Sequence, residues 1–413
     1  MLGVIADDFT GASDIASFLV ENGLSAVQMN GVPSEPLEAQ VDAIVISLKS
    51  RSNPVEQAIE QSLKALHWLQ ENGCNQFYFK YCSTFDSTEK GNIGPVTDAL
   101  LAELNADFTV ITPALPVNGR TIFNGYLFVG EQLLSESGMK NHPITPMTDA
   151  NLMRLMDAQA QGKTGLVAYS DVIKGADNVK ARFAQLKADG YRYAVVDAVD
   201  NSQLAVLAEA VADFKLVTGG SGLGAYMAAR LSGGKQGTDA FVPRKGKTVV
   251  LSGSCSVMTN AQVNAYKVIA PSYYLDVEQA ISNENYVDEL YQWVTENLGG
   301  SLAPMVYATV PADQLKQIQN QFGGDKASHA IEQVFAKLAE KLKANGVTNF
   351  ITAGGETSSI VVQQLGFSGF HIGKQIAPGV PWLKAVEEPI YLALKSGNFG
   401  KENFFEYAQG MIS

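Results

Sequence analysis

Hydrophobic and polar positions in the first half of the chain follow two alternating rhythms. Short apolar or β-branched runs occur at Leu2–Ala6, Ala43–Leu48, Gln76–Lys80, Phe108–Thr112, Gly165–Tyr169, Tyr193–Asp197 and Lys215–Thr218. Between them lie stretches whose apolar residues recur at helical spacing, as at Ile15, Phe18 and Leu19. Strands that alternate with helical segments predict parallel strands joined by crossover helices. The clearest helix is expected over Asn53–Asn72. Asn53 is placed as its N-cap, Pro54 suits the first helical position, Glu56 has the capping-box spacing and Gly73 stops it.

The rhythm breaks at Ser232–Gly246, where SGGKQGTDAFVPRKG mixes glycine, proline and charge without periodicity. Such a segment reads as an exposed connection. A fresh α/β pattern succeeds it: strands at Thr248–Leu251, Ser272–Leu275, Met305–Ala308, Asn349–Thr352 and Ile390–Leu394, with helices from Val257, over Glu284–Leu298 and over Lys326–Asn345. The expected architecture is therefore two α/β domains with largely parallel sheets, residues 1–235 and 236–413, and an active-site cleft between them.

Composition narrows the class. A chain of 413 residues exceeds one typical domain, and 46% hydrophobic with 17% charged residues describes a globular protein with ample core. The net charge of −12 argues against nucleic-acid or anionic-membrane partners. The cysteines (Cys74, Cys82, Cys255) form no CxxC pair. A β-type run directly after Met1 leads us to expect no targeting segment and a reducing, cytoplasmic setting. No stretch approaches the roughly 18 apolar residues needed to span a bilayer. The histidines (His67, His142, His329, His371) lack metal-ligand spacing, and no protein-held metal is expected.

Chemistry is expected where strands end. Asp7-Asp8 terminate the first run, where open α/β sheets place ligands, and Gly11 and Ser13 open a helix at the same spot. Either acid can cap that helix, but two exceed what a cap needs. Lys80-Tyr-Cys-Ser-Thr-Phe-Asp-Ser-Thr88 and Thr112-Pro-Ala-Leu-Pro-Val-Asn-Gly-Arg-Thr121 each come directly after a strand. They offer a hydroxyl-rich loop and a proline-stiffened loop with Asn118 and Arg120. A polyhydroxy acid needs this mixture, with cations for its carboxylate and acids or amides for its hydroxyls. The plainer alternatives are a solvated Lys80 and a surface ion pair at Arg120.

In the second half, Leu251-Ser-Gly-Ser-Cys-Ser256, Thr352-Ala-Gly-Gly-Glu-Thr-Ser358 and Ser396-Gly-Asn-Phe-Gly400 are glycine-rich turns after β-type runs. Glycine permits close approach of backbone to phosphate, and free N–H groups at a helix start bind anions. None ends in the Walker GK[ST] sequence, and the dinucleotide GxGxxG fingerprint is absent. Nucleotide phosphate is the expected ligand of residues Ser252, Ser254, Ser256, Gly354, Gly355, Glu356, Thr357, Gly397, Asn398 and Gly400.

Taken in order, ADDFTGASD, PALPVNGRT, SGSCSVMTNAQ, GGETS, IAPGVPW and LKSGNFG resemble the four-carbon acid sugar kinase family over nearly the whole chain. The resemblance implies a sugar-acid-binding first domain and an ATP-binding second domain. Where many relatives carry a lysine followed by Ser-Thr-x-Arg-Gly, this chain reads KYCSTFDSTEKG. That variant resembles the branch acting on 3-oxo-tetronate, with D-threonate and D-erythronate kinases as alternatives. The reaction implied is ATP-dependent phosphorylation of a terminal hydroxyl, with Mg²⁺ carried by the nucleotide. Asp8 or Asp7 is expected to orient the hydroxyl and take its proton, with Asp86 second. Thr10, Lys80, Ser83, Thr84, Asn118, Gly119 and Arg120 are expected to bind the sugar acid. The expected partners are these two small molecules and, for assembly, a second copy of the chain. A non-catalytic sugar-acid sensor and a nicotinamide-dependent oxidoreductase are the competing classes.

Overall fold

The computed structural model describes residues 1–37, 40–142, 144–235 and 240–413. They fall into two compact units, Met1–Asp239 and Ala240–Ser413. The expected boundary at 235/236 and the middle of the expected connection 232–246 fall on residues 236–239, outside the described residues.

The first unit contains strands β1 (Leu2–Ala6), β2 (Ala26–Asn30), β3 (Ala43–Ser47), β4 (Gln76–Lys80), β5 (Thr109–Thr112), β6 (Arg120–Phe123), β7 (Tyr126–Val129), β8 (Gln132–Leu133), β9 (Thr164–Val167), β10 (Tyr193–Val196) and β11 (Leu216–Gly219). Eight of them form a parallel sheet in the order β2-β3-β1-β4-β11-β5-β10-β9. Every residue of β1 and β3 is buried, as expected for a sheet covered by helices on both faces. Helices Phe9–Glu21, Ser221–Leu231, Asn201–Ala210 and Ala176–Ala188 pack side by side in one layer, and Val55–Glu71 packs on Ile93–Glu103 in another.

Parallel register aligns the strand ends. Ala6 pairs with Ser47 on one side and Lys80 on the other, Lys80 with Gly219, and Gly219 with Thr112. The loops leaving these five strands therefore start from one row at the C-terminal edge of the sheet.

Two local expectations are corrected. Pro54, not Asn53, is the N-cap of the Val55–Glu71 helix, and no side chain caps it. Pro54 sits in extended backbone, while the Asn53 carbonyl accepts from Asn92 Nδ2 at 2.9 Å. Arg120 begins a strand rather than lying on an irregular loop: β6, β7 and β8 form a separate antiparallel ribbon. Its first turn is Asn124-Gly125, both with positive φ (50° and 76°), the pair most diagnostic of a two-residue hairpin. Asp197 fastens this ribbon. Its fully buried carboxylate accepts from the N–H groups of Asn124 (2.7 Å), Gly125 (2.9 Å) and Tyr169 (2.8 Å).

The second unit contains β12 (Lys247–Ser252), β13 (Ser272–Tyr274), β14 (Met305–Tyr307), β15 (Val347–Ala353), β16 (Gly369–Ala377), β17 (Val380–Ala385) and β18 (Tyr391–Lys395). Their order is β13-β14-β12-β15-β18-β17-β16, parallel as far as β18. β17 runs antiparallel to both its neighbours. IAPGVPW is the tight connection between β16 and β17, and Trp382 from it sits in a core with Val250, Tyr266, Ile351, Tyr391 and Phe405. Ser252 pairs with Ala353 and Ala353 with Lys395, so three strands again end in a row. Among the described residues, no helix is long and apolar enough to cross a membrane.

Asp197→Ala strips the acceptor from three backbone donors at once. Urea unfolding is expected to show a loss of about 3 kcal/mol, the scale of leaving buried donors unmet; a loss below about 1 kcal/mol contradicts the fastening role.

Candidate functional site

At the C-terminal edge of the first sheet, Asp7 and Asp8 meet one guanidinium. Arg51, on the loop after β3, donates from Nε to Asp7 Oδ2 (3.0 Å) and from Nη2 to Asp7 Oδ1 (2.8 Å). The same Nη2 lies 2.9 Å from Asp8 Oδ1, and Nη1 lies 3.8 Å from Asp86 Oδ2. Arg51 is absent from the residues that the sequence motifs single out. Its one signal is position: the loop after the strand at 43–48 leaves the same sheet edge as the loops carrying Asp7, Lys80 and Arg120.

The two acids differ in environment. Burial raises the Asp7 carboxyl above the usual aspartate range, more than Arg51 lowers it. Burial also raises Asp8, but Arg51, Lys80 and hydrogen bonds from Gly11 and Thr10 outweigh it and hold Asp8 below the usual range. Asp8 is the N-cap of the Phe9–Glu21 helix, accepting from Gly11 N at 2.8 Å and from Thr10 Oγ1 at 3.0 Å. Capping and site membership are both true of this residue.

Lys80 is not a solvated strand-end charge. It is 1% exposed, donates to the Tyr81 carbonyl at 2.9 Å and pairs with Asp14 Oδ2 at 3.4 Å. Asp14, the last acid of ADDFTGASD, is thus part of the cluster; burial raises its carboxyl against the pull of Lys80. Ser83 and Thr84 are buried. Thr84 Oγ1 donates to Asp86 Oδ1 at 2.7 Å, and the Asp86 N–H is held by Cys82 Sγ at 3.1 Å. Burial pushes the Cys82 thiol up to about 12, so it is no nucleophile at neutral pH.

The 113–120 segment brings two donors with no acceptor. Pro116–Asn118 form a single 3-10 turn closed by Gly119, and β6 begins at Arg120. An Arg120 terminal N–H donates to the Asn118 carbonyl. Arg120 Nε and Asn118 Nδ2, however, are buried without a hydrogen-bond partner among the described residues. Burial lowers the Arg120 guanidinium from its ordinary value, opposed by the surrounding Cys82, Asp86 and Asp14.

In the second unit the three glycine-rich turns converge. Gly253 N and Ser254 N donate to the Ala353 carbonyl (2.9 and 3.1 Å), and Gly354 N donates to the Lys395 carbonyl (2.8 Å). Thr259 Oγ1 donates to the Gly397 carbonyl at 2.7 Å. Gly354 has φ 120°, and a Cβ there would meet Ser254 N at 3.1 Å; a Cβ on Gly397 would meet Ser254 Oγ at 2.8 Å. These glycines are what lets the turns touch. Gly355, Glu356 and Thr357 belong to the first turn of helix Gly355–Leu365, and no side chain caps that helix. An uncapped helix start of this kind suits an anion. The neighbouring helix Val257–Tyr266 is capped by Ser256, which accepts from Thr259 N at 3.2 Å. Ser252 is fully buried and bonded to Thr309 Oγ1 at 2.8 Å, so its hydroxyl ties β12 to the segment after β14. Glu356 and Asn398 are exposed, and Gly400 closes its turn with φ 79°.

Residues 2–227 match the model of a sugar-binding N-terminal domain and residues 249–405 that of a nucleotide-binding C-terminal domain. The chain belongs to the four-carbon acid sugar kinase family and is an enzyme of the phosphotransferase class. It is 83% identical to a Haemophilus influenzae protein named 3-oxo-tetronate kinase, over 100% of both chains. Relatives of the same name occur in Actinobacillus succinogenes (84%, 100% of both chains) and Brucella melitensis (58%, 99% of this chain and 95% of the relative). Among solved structures it resembles a Haemophilus influenzae protein (83% identity, TM-score 0.81, 100% of both chains). It also resembles a Salmonella typhimurium protein solved under a tRNA synthase designation (53% identity, TM-score 0.91, 100% and 99% covered).

Arg51→Met leaves Asp7 and Asp8 adjacent and buried without their cation. A loss of about 3 kcal/mol is expected at pH 7.5. The Asp7 carboxyl is already raised in the folded chain and rises further without Arg51. A raised carboxyl favours folding below its unfolded value, and that contribution disappears as pH climbs through the folded one. The deficit of Arg51→Met relative to wild type should therefore shrink as pH falls from 7.5 toward 5. Melting temperatures across that range check this; a deficit that is constant or grows on acidification contradicts the clamp.

Proposed function

We propose that this chain transfers the γ-phosphoryl group of ATP to the 4-hydroxyl of 3-oxo-tetronate. The observation that carries the reading is the pair of orphaned donors, Arg120 Nε and Asn118 Nδ2, in a site otherwise lined by carboxylates. A buried donor without an acceptor is costly unless a ligand supplies one. A planar carboxylate suits a guanidinium edge, and a carbonyl or hydroxyl suits an amide N–H. Family membership and the names of the full-length relatives support the same substrate class. A role on tRNA is disfavoured by the net charge of −12.

Phosphoryl transfer asks the protein for positioning and charge neutralisation more than for covalent chemistry. Arg120 and Asn118 take the carboxylate end of the sugar acid. The acceptor hydroxyl lies toward the acids, where Asp86 is the better proton acceptor. Both oxygens of Asp7 are held by Arg51, and both of Asp8 by Arg51, Gly11 and Thr10. Asp86 Oδ2 has only the more distant Arg51 contact at 3.8 Å. Asp86 thus comes before Asp8 and Asp7, the reverse of the order expected from sequence. Lys80, tied to Asp14, sets the local potential rather than gripping substrate.

The second unit supplies the nucleotide site through the uncapped helix start at Gly355 and the hydroxyls of Ser254, Ser256 and Thr357. Among the described residues, no three His, Cys, Asp or Glu side chains are grouped to hold a metal. The turns contribute hydroxyls, N–H groups and the single carboxylate of Glu356. That donor set fits Mg²⁺ bound mainly by ATP and water, with Glu356 and Thr357 the residues that would reach it. When bound, the ion neutralises charge on the phosphates.

ADP release measured with 3-oxo-tetronate, D-threonate and D-erythronate is expected to be fastest with the first. Preference for either of the others moves the assignment within the family, and no substrate-dependent release supports a binding protein instead. Arg120→Met should raise the KM for the sugar acid about 100-fold, the worth of a charge-assisted pair near 3 kcal/mol, with the KM for ATP within about twofold. Asp86→Asn should lower kcat at least about 10²-fold, and Asp8→Asn, which keeps a good N-cap, by about 10-fold or less. The opposite ranking returns Asp8 to the role of base.

A further inference from the structure

Lys395 ends β18 inside the LKSGNFG motif, and it is fully buried. Its ammonium donates to Thr259 Oγ1 (3.0 Å), the Ser396 carbonyl (3.0 Å) and the Gly397 carbonyl (2.8 Å). Its own carbonyl accepts from Gly354 N at 2.8 Å. One residue therefore touches the glycine-rich turns after β15 and β18 and the helix beyond the turn after β12. The Phe404 ring centroid lies 6.0 Å from Nζ.

What this lysine lacks is a negative charge. In the first unit's site Lys80 has Asp14, and Asp7 has Arg51. Among the described residues, no carboxylate comes within ion-pair reach of Lys395 Nζ. The neighbouring elements are helix Val257–Tyr266, the 396–400 turn, β15, β17, helix Gly355–Leu365 and helix Phe404–Gly410. Their titratable groups are Tyr266, Lys384, Glu356, Glu406 and Tyr407, with Tyr391 on β18 itself, and none of the carboxylates pairs with Nζ. The Tyr266 hydroxyl is engaged with the Ala303 carbonyl and Gln409, while Glu406 and Tyr407 are exposed. Burial alone lowers the Lys395 ammonium, to about 7. Three neutral acceptors solvate an ammonium but do not neutralise it, and an unneutralised buried charge is costly.

We infer that Lys395 is the fixed cation of the nucleotide site, left without a protein carboxylate so that the bound phosphates supply its counter-charge while its hydrogen bonds tie the turn after β18 to helix Val257–Tyr266. All three of its N–H donors are already engaged, so it acts through charge and through the turns it positions rather than by gripping phosphate. The inference rests on the reading of these turns as the nucleotide site. It further implies that nucleotide binding near pH 8 draws a proton onto Lys395, since an anion beside a buried ammonium favours its charged form.

The test uses the full-length chain and Lys395→Met, a neutral side chain of similar length, with Lys395→Arg as a second variant that keeps the charge. ADP binding is measured calorimetrically at pH 8 in two buffers of different protonation enthalpy, with adenosine as the phosphate-free control. Wild type should take up a substantial fraction of a proton on binding ADP. Lys395→Met should take up none, bind ADP at least about 10-fold more weakly and bind adenosine within about twofold of wild type. Lys395→Arg should retain ADP binding but show no proton uptake, a guanidinium being always charged. Unchanged ADP affinity and proton uptake in Lys395→Met overturn the inference while leaving the site in place. A wild type that binds no ADP overturns the nucleotide reading itself, and this inference with it.

Discussion

Two adjacent carboxylates at the end of a buried strand repel each other and lose their water, and the Arg51 guanidinium is what holds Asp7 and Asp8 there. The sheet makes this meeting unavoidable. Parallel register places the ends of β1, β3, β4, β11 and β5 side by side, so the loops after them share one small volume. Opposite charges must then be matched within it. Arg51 answers Asp7 and Asp8, Lys80 answers Asp14, and Asp86 is steadied by Thr84 and the more distant Arg51 contact. Arg120 ends with a buried Nε that no acceptor among the described residues satisfies. That unmet donor is the feature that calls for an anionic, hydroxylated ligand.

The second unit meets the same constraint from the other side. Its turns also leave a row of parallel strand ends, but they carry glycines and hydroxyls instead of acids. Lys395, fully buried there, is solvated by neutral oxygens and paired with no carboxylate among the described residues. One unit therefore has an unmet guanidinium N–H beside well-anchored acids, and the other a buried ammonium without a counter-charge near an uncapped helix start. A sugar acid with one carboxylate and several hydroxyls suits the first; a polyphosphate suits the second. Each unit is incomplete in the way its own substrate would complete it.

Much of this is legible in the sequence, for physical reasons that also explain the gaps. Buried parallel strands are short apolar runs, and the run at 2–6 has the same bounds as β1 in the structure. The motifs at the strand ends are compact in sequence, so Asp7, Asp8, Asp86, Arg120 and the three glycine-rich turns all stand out. Arg51 does not, because its partners are 44 and 43 positions away, and nothing local marks an arginine as paired. Lys395 escapes notice as a ligand-site residue because burial, not sequence, distinguishes it from any other strand-end lysine. The β6–β7–β8 ribbon is hidden although Asn124-Gly125 announces it, its strands being too short for periodicity to speak. Asn53 misleads because its side chain and proline neighbour fit a cap equally well on paper, while tertiary contact with Asn92 draws its carbonyl elsewhere.

Hydrogen exchange by mass spectrometry on the full-length chain, with a non-hydrolysable ATP analogue and with the sugar acid added separately, tests the division of labour most directly. The nucleotide analogue should slow exchange in the segments 252–262, 353–360 and 395–400, and the sugar acid in 7–14, 50–53, 80–87 and 113–123. Protection of both sets by one ligand alone, or the reverse assignment of ligand to segment, contradicts the claim that each unit is completed by its own substrate.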